Sequence, residues 1–275
     1  MNKKRIVVAI IAVILFAIAI GDIFLYVYFF KGNITSKVPK GIREKCNVKE
    51  EKFQERNVFV LTPKGKKKTK KAVFYLHGGS YVAELTPTYW NFLSDFTQDT
   101  GATIIVPDYP LAPQYDYKDV FNMIIPLYQE TVTKVKSENL IIMGDSAGGG
   151  MSLALTQKIA QEDLTKPSKT ILISPWLDVT LENPEAKKAQ EKDKMLNIEL
   201  LRLAGISYAG EEKETKYYLV SPIYGPIEKI ENLVIYTGTH DVLNPDVHRL
   251  QVMAIEKRNR NNCEGDTGCS ARLGD

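Results

Sequence analysis

The stretch Asn139–Met151, NLIIMGDSAGGGM, constrains the fold of this chain more than any other. Leu140–Met143 is a short apolar run of the kind that forms a buried strand. Gly144-Asp145-Ser146-Ala147-Gly148 follows without a spacer, and an apolar helical spacing begins at Met151. Strand, sharp turn and helix within so few residues force Ser146 into a strained backbone conformation. Gly144 and Gly148 leave room for the strand and the helix to pass close by. Such a turn lifts the serine hydroxyl above a sheet and points the Ala147 N–H, at the helix start, toward any negative charge that develops there. A glycine-rich turn with a chance serine is the competing reading of the pentapeptide alone, and the flanking strand and helix count against it.

Read in order, the chain alternates strands and helices. Val58–Leu61, Ala72–Leu76, Thr103–Val106, Leu140–Met143, Thr170–Ile173 and Leu233–Tyr236 are predicted strands. Helices are predicted over Thr88–Thr100, stopping before Gly101, over Asp116–Lys136, from the turn after Met143 to about Glu162, near Asn197–Tyr208, and over Asp246–Arg258. Residues 179–222 are charged and look like an insertion over the sheet edge. Alternation of this kind implies an α/β fold, a mostly parallel sheet with helices on both faces. Several polar or reactive groups fall just past strand C-termini, where open sheets of this kind bind ligands.

The N-terminus is different in character. Met1–Arg5 is short and basic, and the 25 residues Ile6–Phe30 are apolar apart from Gly21 and Asp22. That length suits a bilayer-spanning helix. A cleaved signal peptide is the competing reading, but the run outlasts a usual signal core and ends in Tyr26, Tyr28, Phe29 and Phe30. The segments expected are an anchor at 1–30, a basic stalk at 31–56, a domain at 57–258 and a polar tail at 259–275. The expected placement is single-pass in a membrane through residues 6–30, with the N-terminus inside and the domain outside the cytoplasm.

Residues 1–71 hold 17 Lys/Arg against 5 Asp/Glu, and the remainder holds 19 against 28. The basic excess thus belongs to the membrane-proximal part, which argues against a nucleic-acid groove. Lys64–Lys71, KGKKKTKK, reads as a solvated turn between strands. Three cysteines, Cys46, Cys263 and Cys269, imply no disulfide framework, and no histidine or cysteine spacing matches a metal site. No cofactor is expected.

Five motifs now stand in order: HGGSY at 77–81, DYPLAP at 108–113, GDSAGG at 144–149, SPWLDVT at 174–180 and GTHDVL at 238–243. Together they resemble the α/β-hydrolase esterases of the hormone-sensitive-lipase type, over about residues 58–258. The resemblance implies an α/β-hydrolase fold and hydrolysis of small carboxylic esters, often with short acyl chains. It implies Ser146 as nucleophile, Asp241 as triad acid, and Gly78, Gly79 and Ala147 as oxyanion-hole donors. Ser80 stands where many relatives carry a third glycine. His77 reads as a brace for its loop, Asp145 as a structural hydrogen-bonder, Asp108 and Tyr109 as fixing a loop, and Tyr81 and Trp176 as pocket walls or buried packing.

The general base is the weak point. The histidines are His77, His240 and His248. Relatives place theirs after a further strand beyond the acid, whereas His248 lies seven residues past Asp241 inside a predicted helix, where a surface position is the simpler reading. Asn259–Asp275, NRNNCEGDTGCSARLGD, has no strand-like run. The final strand and helix of the fold are therefore expected to be missing, as in a disrupted C-terminus, with a natural flexible tail as the alternative. Two functions follow: a serine esterase, or a non-catalytic pseudo-hydrolase without the histidine.

Overall fold

The computed structural model describes residues 36–65 and 68–265, with side chains as far as Lys257. Seven strands form, β1 (Cys46–Phe53), β2 (Arg56–Pro63), β3 (Ala72–Leu76), β4 (Thr103–Pro107), β5 (Leu140–Asp145), β6 (Lys169–Ile173) and β7 (Leu233–Tyr236). They make one sheet in the order β1-β2-β4-β3-β5-β6-β7. β1 pairs antiparallel with β2 and β2 with β4; from β4 to β7 every pairing is parallel. The helices are α1 (Ile42–Lys45), α2 (Pro87–Thr100), α3 (Tyr117–Lys134), α4 (Ser146–Gln161), α5 (Pro184–Gln190), α6 (Ile198–Ala209) and α7 (Asn244–Gly265).

The period-2 geometry of a strand sends alternate residues to opposite faces. In the wholly buried β3, Ala72, Phe74 and Leu76 join one core with Phe121, Ile124 and Tyr128 of α3 and Met151, Leu155 and Ile159 of α4. Val73 and Tyr75 join the other, with Trp90 and Leu93 of α2. Phe59 meets Trp90 edge-on there, with ring centroids 4.9 Å apart. A smaller cluster of Leu153, Leu172, Val247 and Leu250 seats α7 beside α4.

Local chemistry sets the helix ends. Asp116 caps α3 by accepting from Lys118 N at 2.7 Å, and Asp119 returns the bond by accepting from Asp116 N at 3.1 Å. α2 stops at Gly101 in the left-handed conformation, φ 68°.

Cys46–Phe53, read from the sequence as part of a stalk, is the antiparallel edge strand of the sheet; its charged residues Lys49, Glu50, Glu51 and Lys52 suit a solvent-facing edge. At the opposite edge, no strand among the described residues pairs with the outer side of β7. Among the described residues, α1 and α2 cover the β1–β2–β4–β3 side of the second face. Ile171, Ile173 and Val234 remain half-buried on that face, and Tyr236 is 62% exposed.

The membrane part of the expected fold class and placement is corrected. Among the described residues no helix is long and apolar enough to cross a membrane, and residues 6–30 lie outside them. Two long described helices, α3 and α7, set charged residues toward water. Lys118, Glu130 and Lys134 do this on α3, and Arg249, Glu256 and Lys257 on α7.

Candidate active site

β5 delivers Ser146 directly onto the first residue of α4, with φ +51° at the serine, the left-handed region a side chain avoids. The crossing expected of the two glycines is present. A Cβ on Gly148 would overlap the carbonyl oxygens of Leu76 and His77, and one on Gly144 would overlap Gly148 O. The helix starts five residues earlier than its apolar spacing suggested. Three consecutive glycines are poor helix formers, yet Gly149 packs on Pro175 and Gly150 on the Trp176 carbonyl, contacts that any side chain would block. Packing overrides propensity here. Trp176 N donates to Ser146 O at 2.8 Å and closes the turn from the β6 side.

His77–Tyr81 follows β3 and forms the adjoining loop, with positive φ at Gly79 (111°), Ser80 (54°) and Tyr81 (64°). His77 is fully buried, and burial pushes its pKa down to about 4, so the ring is neutral. Its Nδ1 lies 2.7 Å from Gly78 O; a carbonyl can only accept, so Nδ1 carries the proton. Tyr109 stacks on the imidazole at 4.4 Å and donates its hydroxyl to His77 O at 2.6 Å. Arg56 donates to the carbonyls of Asp108 and Tyr109, and Asp108 accepts from Ser36 N and Oγ. These bonds match the bracing and loop-fixing parts read from the sequence.

Gly78 does not match. Its N–H donates to Asp145 Oδ1 at 3.0 Å, so it has no proton left for an oxyanion. The N–H groups of Gly79 and Ser80 donate no hydrogen bond among the described residues, and Ala147 N belongs to the unpaired first turn of α4. Spacing alone could not show that the Gly78 N–H is engaged, because its acceptor, Asp145, lies on another strand.

Asp241 lies five residues beyond β7. Asp145, Ile173 and Tyr236 share one register row across β5, β6 and β7, so the loops carrying Ser146 and Asp241 leave the same end of the sheet. Two strand spacings separate them, about 10 Å. Asp241 Oδ1 accepts from Leu243 N at 2.9 Å, and the residue is half-buried. His240 and His248 are exposed, and among the described residues no histidine hydrogen-bonds to Ser146 or Asp241. The described residues contain no cluster of metal-ligating side chains.

Tyr81 and Trp176 are fully buried. They stack at 5.2 Å, and Tyr208 of α6 lies on Tyr81 at 3.7 Å and 3°. Tyr208 went unnoticed in the sequence because nothing local ties residue 208 to residue 81.

The family model described as alpha/beta hydrolase fold matches residues 73–265. An esterase of Acinetobacter venetianus is 30% identical over 183 residues, 66% of this chain and 60% of that protein. An acetyl-hydrolase of Streptomyces hygroscopicus is 24% identical over 188 residues, 68% of this chain and 62% of that one. The chain thus spans about three-fifths of the length of these relatives. Among solved structures, a candidate esterase of Staphylococcus aureus superposes with a TM-score of 0.79 at 26% identity, covering 86% of this chain and 80% of that one. EstE5 gives 0.72 at 25% identity, covering 86% and 84%. With the family match extending over most of its length, the chain belongs to the alpha/beta hydrolase fold family.

Proposed function

We propose that this protein is a carboxylic ester hydrolase acting on small esters, with Ser146 as its nucleophile. The observation that carries the reading is the left-handed turn at Ser146, at the head of α4, beside three N–H groups with no other acceptor among the described residues, those of Gly79, Ser80 and Ala147. In that reading Ser146 Oγ attacks the ester carbonyl carbon as its proton passes to a base. The three donors hold the carbonyl oxygen as it becomes an oxyanion, and the alcohol leaves to give an acyl-enzyme that water cleaves. Asp241 is the triad acid. The acetyl-hydrolase among the relatives supports short acyl chains.

A second reading, a non-catalytic hydrolase fold, is favoured by one observation: no described histidine is bonded to Ser146 or Asp241. A disrupted C-terminus belongs with it. In keeping with it, the outer side of β7 is unpaired among the described residues and Tyr236 is exposed.

Hydrolysis of p-nitrophenyl acetate by the full chain, beside its Ser146→Ala form, separates the two. Turnover that disappears in Ser146→Ala supports the esterase. Equal background rates in both proteins support the second reading. An oxyanion hole without its base still retains about 10³–10⁴-fold over water, so the assay has to be run at high enzyme concentration.

A further inference from the structure

Asp145 occupies the N-cap position of α4 with extended backbone (φ −121°, ψ 149°), yet its side chain makes no capping bond. That is unlike the Asp116, Asn183 and Asn197 caps of α3, α5 and α6, whose side chains all accept from first-turn N–H groups. An aspartate is among the best N-caps available, so this one gives up a local bond. Its carboxylate turns to the neighbouring loop instead. Oδ1 accepts from Tyr75 Oη at 2.7 Å and from Gly78 N at 3.0 Å, and Oδ2 accepts from Tyr89 Oη at 2.6 Å. The approach is possible only beside glycine, since a Cβ on Gly78 would sit 2.5 Å from Asp145 Oδ2. Burial raises the phenol pKa values of Tyr75 and Tyr89, so both remain donors.

We propose that Asp145 is a positioning residue that holds the Gly78–Gly79 turn at a set distance from Ser146 while leaving the first-turn N–H groups of α4 free for substrate. This deepens the esterase reading and rests on it for its catalytic meaning. The geometry has two halves. Asp145 holds the Gly78 N–H, and His77 holds the Gly78 carbonyl from the other side. In a trans peptide the next N–H points opposite to the carbonyl, so gripping Gly78 O aims the Gly79 N–H away from His77. Because Asp145 directly precedes Ser146, the nucleophile and the loop share one covalent anchor. Without the carboxylate, the loop could move relative to Ser146 and the oxyanion donors would lose their alignment.

The test uses the full chain with Asp145→Ala and Asp145→Asn, and two readouts. The first is backbone hydrogen exchange in residues 77–83. The second is the rate at which a fluorophosphonate probe labels Ser146, whose phosphonyl oxygen occupies the oxyanion position. Asp145→Ala is expected to speed exchange in 77–83 but not in β3 or β5, and to slow labelling by about 10²-fold, the cost of one misplaced oxyanion donor. Asp145→Asn keeps an oxygen for Gly78 N–H and is expected to restore both readouts toward wild type. Unchanged exchange and labelling in Asp145→Ala would overturn the proposal, as would an Asn variant as slow as Ala with wild-type exchange. Should Asp145→Ala fail to fold, Tyr75→Phe with Tyr89→Phe removes two of the three donors. That double variant is expected to loosen 77–83 and slow labelling, and no change in either overturns the proposal. Should the wild-type chain resist labelling, the esterase reading falls, and exchange in 77–83 alone decides whether Asp145 holds the loop.

Discussion

Replacing His77 by asparagine should flatten the acid limb of the stability curve. The wild-type imidazole is fully buried with a pKa near 4, against 6.5 for an ordinary histidine. The unfolded chain therefore takes up a proton as pH falls below about 6.5, while the native state refuses it until about 4. Stability linked to His77 is fully present above the unfolded value and drains away through that window. A shift of about 2.5 units at 1.36 kcal/mol per unit amounts to about 3 kcal/mol. Asp108, Asp145 and Asp246 run the other way, since burial raises their pKa values and lets the native state gain protons first. They are common to both proteins and cancel in the difference. The asparagine Nδ2 is expected to take the place of Nδ1 as donor to Gly78 O, while loss of the Tyr109 stack should cost about 1–3 kcal/mol at pH 7. Urea denaturation followed by fluorescence of the buried Trp90 and Trp176, at half-unit steps from pH 7.5 to 4, reads the difference directly. The wild-type advantage should shrink by about 1.4 kcal/mol per pH unit at most, and the curves should converge toward pH 4. Parallel curves would refute the assignment of a neutral, depressed His77.

Further outcomes follow from the same contacts. Gly148→Val should destabilise by about 3 kcal/mol or more, because its Cβ meets the rigid carbonyls of Leu76 and His77; an unchanged melting temperature would argue against the close approach of α4 to the end of β3. Ser146→Gly should be more stable than Ser146→Ala by roughly 1 kcal/mol, since only glycine relaxes at φ +51°, and equal melting would mean that the turn carries no strain. Asp116→Ala should cost about 1 kcal/mol in urea melts through loss of the α3 capping box, and a neutral result would deny the cap its part. His248→Ala should leave ester hydrolysis unchanged; loss of turnover would identify His248 as the base.

The strands were legible in the sequence because each is a short apolar run with turn chemistry on both sides, and β3 to β7 form where their patterns stand. The turn at Ser146 was legible too. Strand, pentapeptide and helix lie within thirteen residues, so the approach of Gly144 to Gly148 is a local contact. β1 was not, because this edge strand carries four consecutive charged residues, Lys49, Glu50, Glu51 and Lys52, and reads as a polar linker. The start of α4 near Ala147 was legible, but the reason for its glycines was not: they are required there by backbones from residues 76–77 and 175–176, which no local window contains. The loop at His77–Tyr81 shows the same division. HGGS told which peptides carry bare backbone beside the turn at Ser146. Which N–H is engaged elsewhere was decided by Asp145, 67 residues away in the chain, whose carboxylate accepts from Gly78 N, while the N–H groups of Gly79 and Ser80 donate no hydrogen bond among the described residues. Periodicity and turn residues act over a few positions and can be read in order along the chain. A hydrogen bond between residues 78 and 145 exists only once β3 and β5 lie side by side.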